Sequence, residues 1–183
     1  MRLVFLDRDG VINRFPGKGL YVTRQEEFVF LPRVFEALRE LTEAGCEIHV
    51  VSNQGCVSRG MITREALDGM TGRMLQDIQK HGGRIQKVHY CVHQTSDRCE
   101  CKKPKLKLFY DAIARREIGM EKIYFVGDSA EDIEAGKDLG CRTALVLSGR
   151  TAKSDLQDFK PRPEAVKEDL WEAVQWILHQ KKS

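Results

Sequence analysis

The chain has none of the features that would mark it as a membrane, fibrous or low-complexity protein. No apolar run approaches the roughly 18 to 20 residues that a membrane-spanning helix needs, and no internal repeat or biased tract interrupts the 183 residues. An excess of charge is also missing: 30 basic residues stand against 27 acidic ones. Bulk electrostatics therefore gives no case for nucleic acid, and no aromatic platform is interleaved with the basic residues. A candidate site beginning at Asp7 leaves no room for a signal peptide ahead of it. A cytoplasmic location is the expectation, with no membrane association. The length suits one domain over residues 1–183 and would cramp a second. Nor are the six cysteines spread as a disulfide framework: Cys91, Cys99 and Cys101 crowd together, while Cys46, Cys56 and Cys141 stand alone. In a reducing compartment the cluster reads as a metal site and the single cysteines as small core residues.

The opening stretch, Leu3-Val4-Phe5-Leu6-Asp7-Arg8-Asp9-Gly10, runs four apolar residues straight into two carboxylates. A continuous apolar run of this kind suits a strand buried on both faces. If the backbone stays extended, Asp7 and Asp9 point to the same side, and two carboxylates so close call for a cation between them. Further strands are expected at Glu47 to Val51, Lys87 to Cys91, Ile123 to Val126 and Thr143 to Leu147, with a short extended piece at Glu27 to Phe30. Pro32 suits a first helical position before Val34, Phe35, Leu38 and Leu41. Later helices are expected from Thr63 to Lys80, Pro104 to Arg116, Ala130 to Leu139 and Glu164 to His179, with Lys153 to Pro163 as loop. Strands alternating with helices predict an α/β fold, a parallel sheet with helices on both faces. Ligands in such sheets bind beyond the carboxyl ends of the strands. Asp7/Asp9, Ser52/Asn53 and Asp128 each follow a strand directly, so all should meet at one edge.

Three carboxylates at that edge, Asp7, Asp9 and Asp128, offer hard oxygen ligands of the kind that suits Mg²⁺. One carboxylate could attack phosphorus, and the other could protonate the leaving oxygen and deprotonate water. The Ser52 hydroxyl, N–H groups near Asn53 and an ammonium from Lys102 or Lys103 are the right types to hold phosphoryl oxygens.

Four segments in order, Asp7-Arg8-Asp9-Gly10, Ser52-Asn53-Gln54, Lys102-Lys103-Pro104 and Gly127-Asp128-Ser129-Ala130-Glu131-Asp132, resemble the motifs of the haloacid dehalogenase superfamily of phosphatases. The likeness runs from about Leu3 to Val146. It implies a Rossmann-like domain with Asp7 as nucleophile, Asp9 as general acid and base, and Ser52 and Lys103 as phosphate binders. It further implies Asp128 as a Mg²⁺ ligand beside Asp7, with Asp9 giving the metal its backbone carbonyl. Asp132 resembles the supporting acid that holds the lysine or a metal-bound water.

Between the second and third motifs lies Cys91-Val92-His93, five further residues, then Cys99-Glu100-Cys101. Three sulfurs and one imidazole make a complete four-ligand set for structural Zn²⁺, which would staple the loop that delivers Lys102 and Lys103. This loop is similar to those of two branches of the superfamily, the heptose-bisphosphate and the histidinol-phosphate phosphatases. Gln54, Ser58-Arg59-Gly60 and the segments at Tyr21-Val22 and Phe28-Val29-Phe30 look like the first branch. The five-residue gap and Lys103 to Leu108 look like the second. Lys102 and Ser129 depart from the heptose branch, which commonly has Arg and Lys there. The heptose reading is preferred, and implies a small phosphorylated sugar from lipopolysaccharide carbohydrate metabolism, contacted by Ser52, Asn53, Gln54, Arg59, Lys102 and Lys103. Residues 11–46 and 55–90 are already spent on a loop, helices and strands, so no cap domain is expected and the pocket should be open. A monomer is the default. The competing reading of another class is a zinc-stapled module that binds nucleic-acid phosphates without chemistry.

Overall fold

The computed structural model describes residues 1–113 and 118–180. Six strands form one wholly parallel sheet in the order β3-β2-β1-β4-β5-β6. They are β1 (Leu3–Leu6), β2 (Glu47–Asn53), β3 (Lys87–Cys91), β4 (Ile123–Gly127), β5 (Arg142–Val146) and β6 (Ala165–Lys167). The helices are α1 (Val34–Glu43), α2 (Arg64–Lys80), α3 (Lys107–Ile113), α4 (Ala130–Leu139) and α5 (Leu170–His179).

The alternation along the strands explains the two layers of helices. In β1, Val4 and Leu6 join a core with α1, α2 and α5, through residues such as Leu41, Met74 and Val174. Leu3 and Phe5 face the opposite side, against Phe109 of α3 and Ala135 of α4. Phe109 lies edge-on to both Phe5 and Phe125, with ring centroids 5.1 Å apart in each case. A strand with apolar side chains on both faces can be buried only between two layers, and that fixes the doubly wound architecture. No helix among the described residues is long and apolar enough to cross a membrane. Each crossover is consumed by its own helix and loops, with no cap unit among the described residues.

Four expectations change. Pro32 lies before α1, because Arg33 adopts a left-handed backbone (φ 60°) and the helix begins at Val34. Glu27 to Phe30 forms no strand: a 3₁₀ turn covers Gln25–Glu27, and Phe30 makes a lone antiparallel bridge to Asn13. Phe28 and Phe30 instead stack into an aromatic group with Phe35. The proposed closing helix from Glu164 is a strand followed by a shorter helix. Ala165–Lys167 pairs with β5 at the sheet edge, and Asp169 then caps α5 by accepting the Glu172 N–H at 2.9 Å. The helix expected from Pro104 begins later, at Lys107, and the part of that expectation beyond Ile113 lies outside the described residues up to 118.

Two side chains gauge what holds the fold. Leu41 is fully buried in the α1 core, and Leu41→Ala should cost about 3 kcal/mol through lost transfer energy and a residual cavity. Thr63 caps α2 through its hydroxyl on the Ala66 N–H at 3.1 Å, and Thr63→Ala should cost about 1 kcal/mol. Urea unfolding of both variants should reproduce that order.

Candidate active site

The sheet register brings the motif residues to one edge. Leu6 pairs with Val50 on one side and Val126 on the other, so Asp7, Ser52 and Asp128 emerge from three adjacent strands. The Asp7 N–H still donates to Val126 O at 2.9 Å, which holds its carboxylate in the sheet's crevice. On the far side, Asn53 pairs with Cys91, so the cysteine loop starts where the Ser52-Asn53 segment ends.

Lys103 is the centre of this arrangement. It is 4% exposed, and its Nζ donates to Asp7 Oδ1 at 2.7 Å and to Val51 O at 2.8 Å. The same ammonium lies 2.7 Å from Asp132 Oδ1. Asn53 grips the lysine's backbone from both directions: the Lys103 N–H donates to Asn53 Oδ1 at 3.0 Å, and Asn53 Nδ2 donates to Lys103 O at 3.2 Å. Asp132 Oδ2 accepts from the backbone N–H groups of Asp128 and Ser129 and, at 2.6 Å, from the Ser129 hydroxyl. Burial opposes the Lys103 charge, but Asp132 and Asp7 overcome it and raise its pKa above the ordinary lysine value.

The balance of charge favours a cation here. Burial pushes the Asp7 carboxyl up to about 6 despite the pull of Lys103, with Asp132 and Asp9 pushing the same way. Burial, then Asp132 and Asp7, also raise Asp128 well above the carboxylate range. Asp7, Asp128 and Asp132 offer oxygens within 4.8 Å of one another, and the one buried ammonium among them cannot neutralise three carboxylates. Asp132 has both oxygens occupied, whereas Asp7 and Asp128 each keep one oxygen outside the hydrogen bonds among the described residues. Hard oxygen donors with uncompensated charge fit a divalent cation of the magnesium kind.

Asp9 is placed differently from Asp7. The strand ends at Leu6 and the chain turns at Gly10, φ 90°, with Asp7 and Asp9 lining the same cavity, as expected. The third carboxylate to join the cluster is Asp132, and the Asp9 carboxylate stands apart from it. It accepts from Arg8, Asn13 and Gln54 while still lining the cavity. Gln54, expected among the substrate contacts, is fully buried with its amide turned onto Asp9 and Arg8. Ser52 is buried beside it and accepts from Gln54 Nε2 at 3.2 Å. Lys102 reaches the cavity wall, its Nζ on Thr95 Oγ1 at 2.6 Å. Arg59 is exposed over the Tyr21 ring, 5.9 Å from its centroid.

The cavity, about 260 Å³, is also lined by Lys18 and Arg150; sequence reasoning missed Arg150. Arg150 has a traceable signal. Its N–H donates to Asp128 Oδ2 at 2.7 Å, and Ser148-Gly149-Arg150 directly follows a strand at the ligand-binding edge. Gly10 and Gly149 crowd the same carboxylate: a Cβ on either would lie 2.0 Å from Asp128 Oδ2.

Cys91, His93, Cys99 and Cys101 converge as the spacing suggested, their ligand atoms all within 4.8 Å. Cys91 Sγ is 3.6 Å from Cys99 Sγ and 3.3 Å from Cys101 Sγ, and His93 Nδ1 is 3.3 Å from Cys101 Sγ. A tetrahedron with Zn–S bonds of about 2.3 Å has edges of about 3.7 Å, so the cluster has the right size. All six cysteines are free thiols. Burial works against a Cys99 thiolate, yet backbone N–H groups of Cys101 and Lys102 bring its pKa below the usual value.

A parallel sheet whose edge presents a buried aspartate–lysine pair and a cation-ready carboxylate cluster fits a phosphoryl-transfer enzyme. A family model described as HAD-hydrolase-like matches residues 100–173. The chain is 33% identical to the D-glycero-beta-D-manno-heptose-1,7-bisphosphate 7-phosphatase of Pseudomonas putida, over 93% of this chain and 95% of that protein. The crystal structure of D,D-heptose 1,7-bisphosphate phosphatase from Bordetella bronchiseptica, complexed with magnesium and phosphate, superposes with a TM-score of 0.89 at 29% identity. That match covers 97% of this chain and 98% of the other. The enzyme from Burkholderia thailandensis gives 0.73 at 31% identity, over 98% and 100% of the two chains. The chain belongs to the haloacid dehalogenase-like phosphatases and is a phosphoric monoester hydrolase.

Gly149→Ala tests the carboxylate cluster without removing a polar group. The added methyl must displace Asp128, and Mg²⁺ affinity measured by calorimetry should fall by about 10- to 100-fold, the range typical of disturbed ligand support.

Proposed function

We propose that this phosphatase removes the 7-phosphate of D-glycero-D-manno-heptose 1,7-bisphosphate, a step in the carbohydrate metabolism that supplies lipopolysaccharide heptose. The observation that carries the reading is full-length likeness to relatives of that name, joined to an uncapped cavity whose rim is cationic. Lys18, Lys102 and Arg150 line it beyond the buried Asp7–Lys103 pair, with Glu131 as the acidic exception beside Arg150, so a second phosphate would find positive charge within the mouth.

The chemistry runs through the chain's own groups. The free oxygen of Asp7 attacks phosphorus as the bond to the sugar oxygen breaks, and Asp9 gives that oxygen a proton. Lys103 and Ser52 hold the phosphoryl oxygens, so charge developing on them meets donors already in place. Asp9 then takes a proton from water as the water attacks the aspartyl-phosphate. Inorganic phosphate leaves and Asp7 is regenerated. Magnesium would be held by the Asp7 and Asp128 carboxylates and the Asp9 carbonyl, and would supply the positive charge that the three buried carboxylates lack. Asn53 acts through Lys103, whose backbone it grips. Zinc would be held by Cys91, His93, Cys99 and Cys101 and would fix the loop that carries Lys102 and Lys103.

Asp7→Asn should abolish turnover, with less than a thousandth of activity left, while circular dichroism stays native. In a panel of heptose 1,7-bisphosphate, histidinol phosphate and a 3′-phosphorylated oligonucleotide, kcat/KM should be highest for the first. A preference for histidinol phosphate would reassign the substrate, and binding of oligonucleotide without hydrolysis would restore the nucleic-acid reading.

The purified protein should carry one zinc by elemental analysis, and Cys99→Ser should lose it together with several degrees of melting temperature. Full activity and unchanged melting in metal-stripped, Mg²⁺-supplemented enzyme would remove zinc from the account.

A further inference from the structure

Arg8 is the largest polar side chain buried in the protein, 1% exposed, and the hydrolytic steps above do not use it. Its guanidinium lies beside two rings, 5.7 Å from the centroid of Phe28 and 5.7 Å from that of Tyr90. Nη2 donates to both oxygens of Asp9, at 2.9 and 3.0 Å, and Nε donates to Oδ1 at 3.2 Å. The same Nη2 donates to Gln54 Oε1 at 3.1 Å, and Gln54 Nε2 donates back to Asp9 Oδ2 at 2.7 Å. Asn13 Nδ2 closes the cradle on Oδ1 at 2.8 Å.

A buried ion pair of this kind seldom adds stability over apolar side chains of equal volume, because desolvation cancels the attraction. Its geometry is what it contributes. The planar fork, with the Phe28 and Tyr90 rings beside it, fixes the Asp9 carboxylate in one plane. Gln54 sets its position along that plane and begins the loop that runs to Arg59, which packs on Tyr21 at the cavity mouth.

We infer that Arg8 and Gln54 are positioning residues for proton transfer: together they aim Asp9 at the leaving oxygen and tie that aim to the substrate-facing loop. The inference rests on the reading of Asp9 as proton donor.

The test compares kcat/KM, which reports the steps through loss of the leaving group, on two esters. Heptose 1,7-bisphosphate leaves as an alkoxide that needs a proton, whereas 2,4-dinitrophenyl phosphate leaves as a stable phenolate that does not. Gln54→Met, Arg8→Met and Arg8→Lys are measured with Asp9→Asn as the reference, each alongside its melting temperature. Gln54→Met and Arg8→Met should lose about 10- to 100-fold more on the alkyl ester than on the aryl ester, a fraction of what general acid catalysis contributes. Arg8→Lys should fall between Arg8→Met and the parent, since an ammonium restores charge without the fork. If Arg8→Met fails to fold, Gln54→Met decides the matter. Equal losses on both esters, while Asp9→Asn still discriminates between them, would overturn the positioning role. Failure of Asp9→Asn to discriminate would overturn the proton-donor reading itself, and the inference with it.

Discussion

The ammonium of Lys103 is the group on which the rest of this site depends. It is buried among carboxylates at a sheet edge, where an unpaired charge of either sign would be very costly. Each of the other three motifs contributes something to its placement. Asp7 supplies one carboxylate from β1, and Val51 and Asn53 supply a carbonyl and a side-chain clamp from β2. Asp132 supplies the second carboxylate from the first turn of α4. Since Asp132 uses its other oxygen on the N–H groups of Asp128 and Ser129, the lysine is tied to the backbone that presents Asp128. The Asp7 carboxylate, the Lys103 ammonium and the Asp128 carboxylate are thus fixed relative to one another. That is the requirement of a reaction catalysed mainly by positioning and charge neutralisation.

The rim is built on a different principle. The loop after β2 and the cysteine loop are fastened to each other more than to the sheet. Ser58 donates its hydroxyl to Asp97 at 2.6 Å and its N–H to Val92 O at 3.1 Å. A Cβ at Gly55 would come within 3.1 Å of His93 O and 3.4 Å of the Tyr21 hydroxyl, so three segments close over one glycine. Gln54 lies at the inner end of this packed surface with its amide on Asp9, which places it in direct contact with a carboxylate that lines the cavity.

Most of the fold and the centre of the site were legible in the sequence, for a common reason. Central strands read as unbroken apolar runs, and the polar residues that end them stand out by contrast. Ser52, Asp128 and the three cysteines with His93 could be assigned in that way. What escaped was set by tertiary context. Ala165–Lys167 is short, half polar and at the sheet edge, so it merges into the pattern of α5; the Asp169 and Glu172 pair, a capping signature, was the available cue for the boundary. Asp9 shares the cavity with Asp7 as expected, but its hydrogen bonds from Arg8, Asn13 and Gln54 depend on the turn after the strand, which periodicity does not describe. Gln54 looked like a polar loop residue, and only the burial of Arg8 explains why its amide points inward. Arg150 carried no motif and owes its place to a backbone hydrogen bond with Asp128.

The cysteine loop shows why a hydrolase that needs only a cation and a carboxylate would also need a second metal. Residues 92–100 have little apolar surface to bury, and the loop's own order rests on a single 3₁₀ turn at Thr95–Asp97 and a few surface hydrogen bonds. Such a segment cannot offset its conformational entropy by packing. Yet it ends two residues before Lys103, whose ammonium must enter a buried cluster within hydrogen-bonding distance of two carboxylates. Asn53 clamps the N–H and C=O of the lysine itself, from the β2 side. A tetrahedral metal joining Cys91, at the end of β3, to Cys101 would anchor the approach from the other side and remove the loop's freedom from the cost of placing the lysine. Under the proposal, zinc does no chemistry here. It lets a polar loop with little packing of its own end on a group held in a buried cluster.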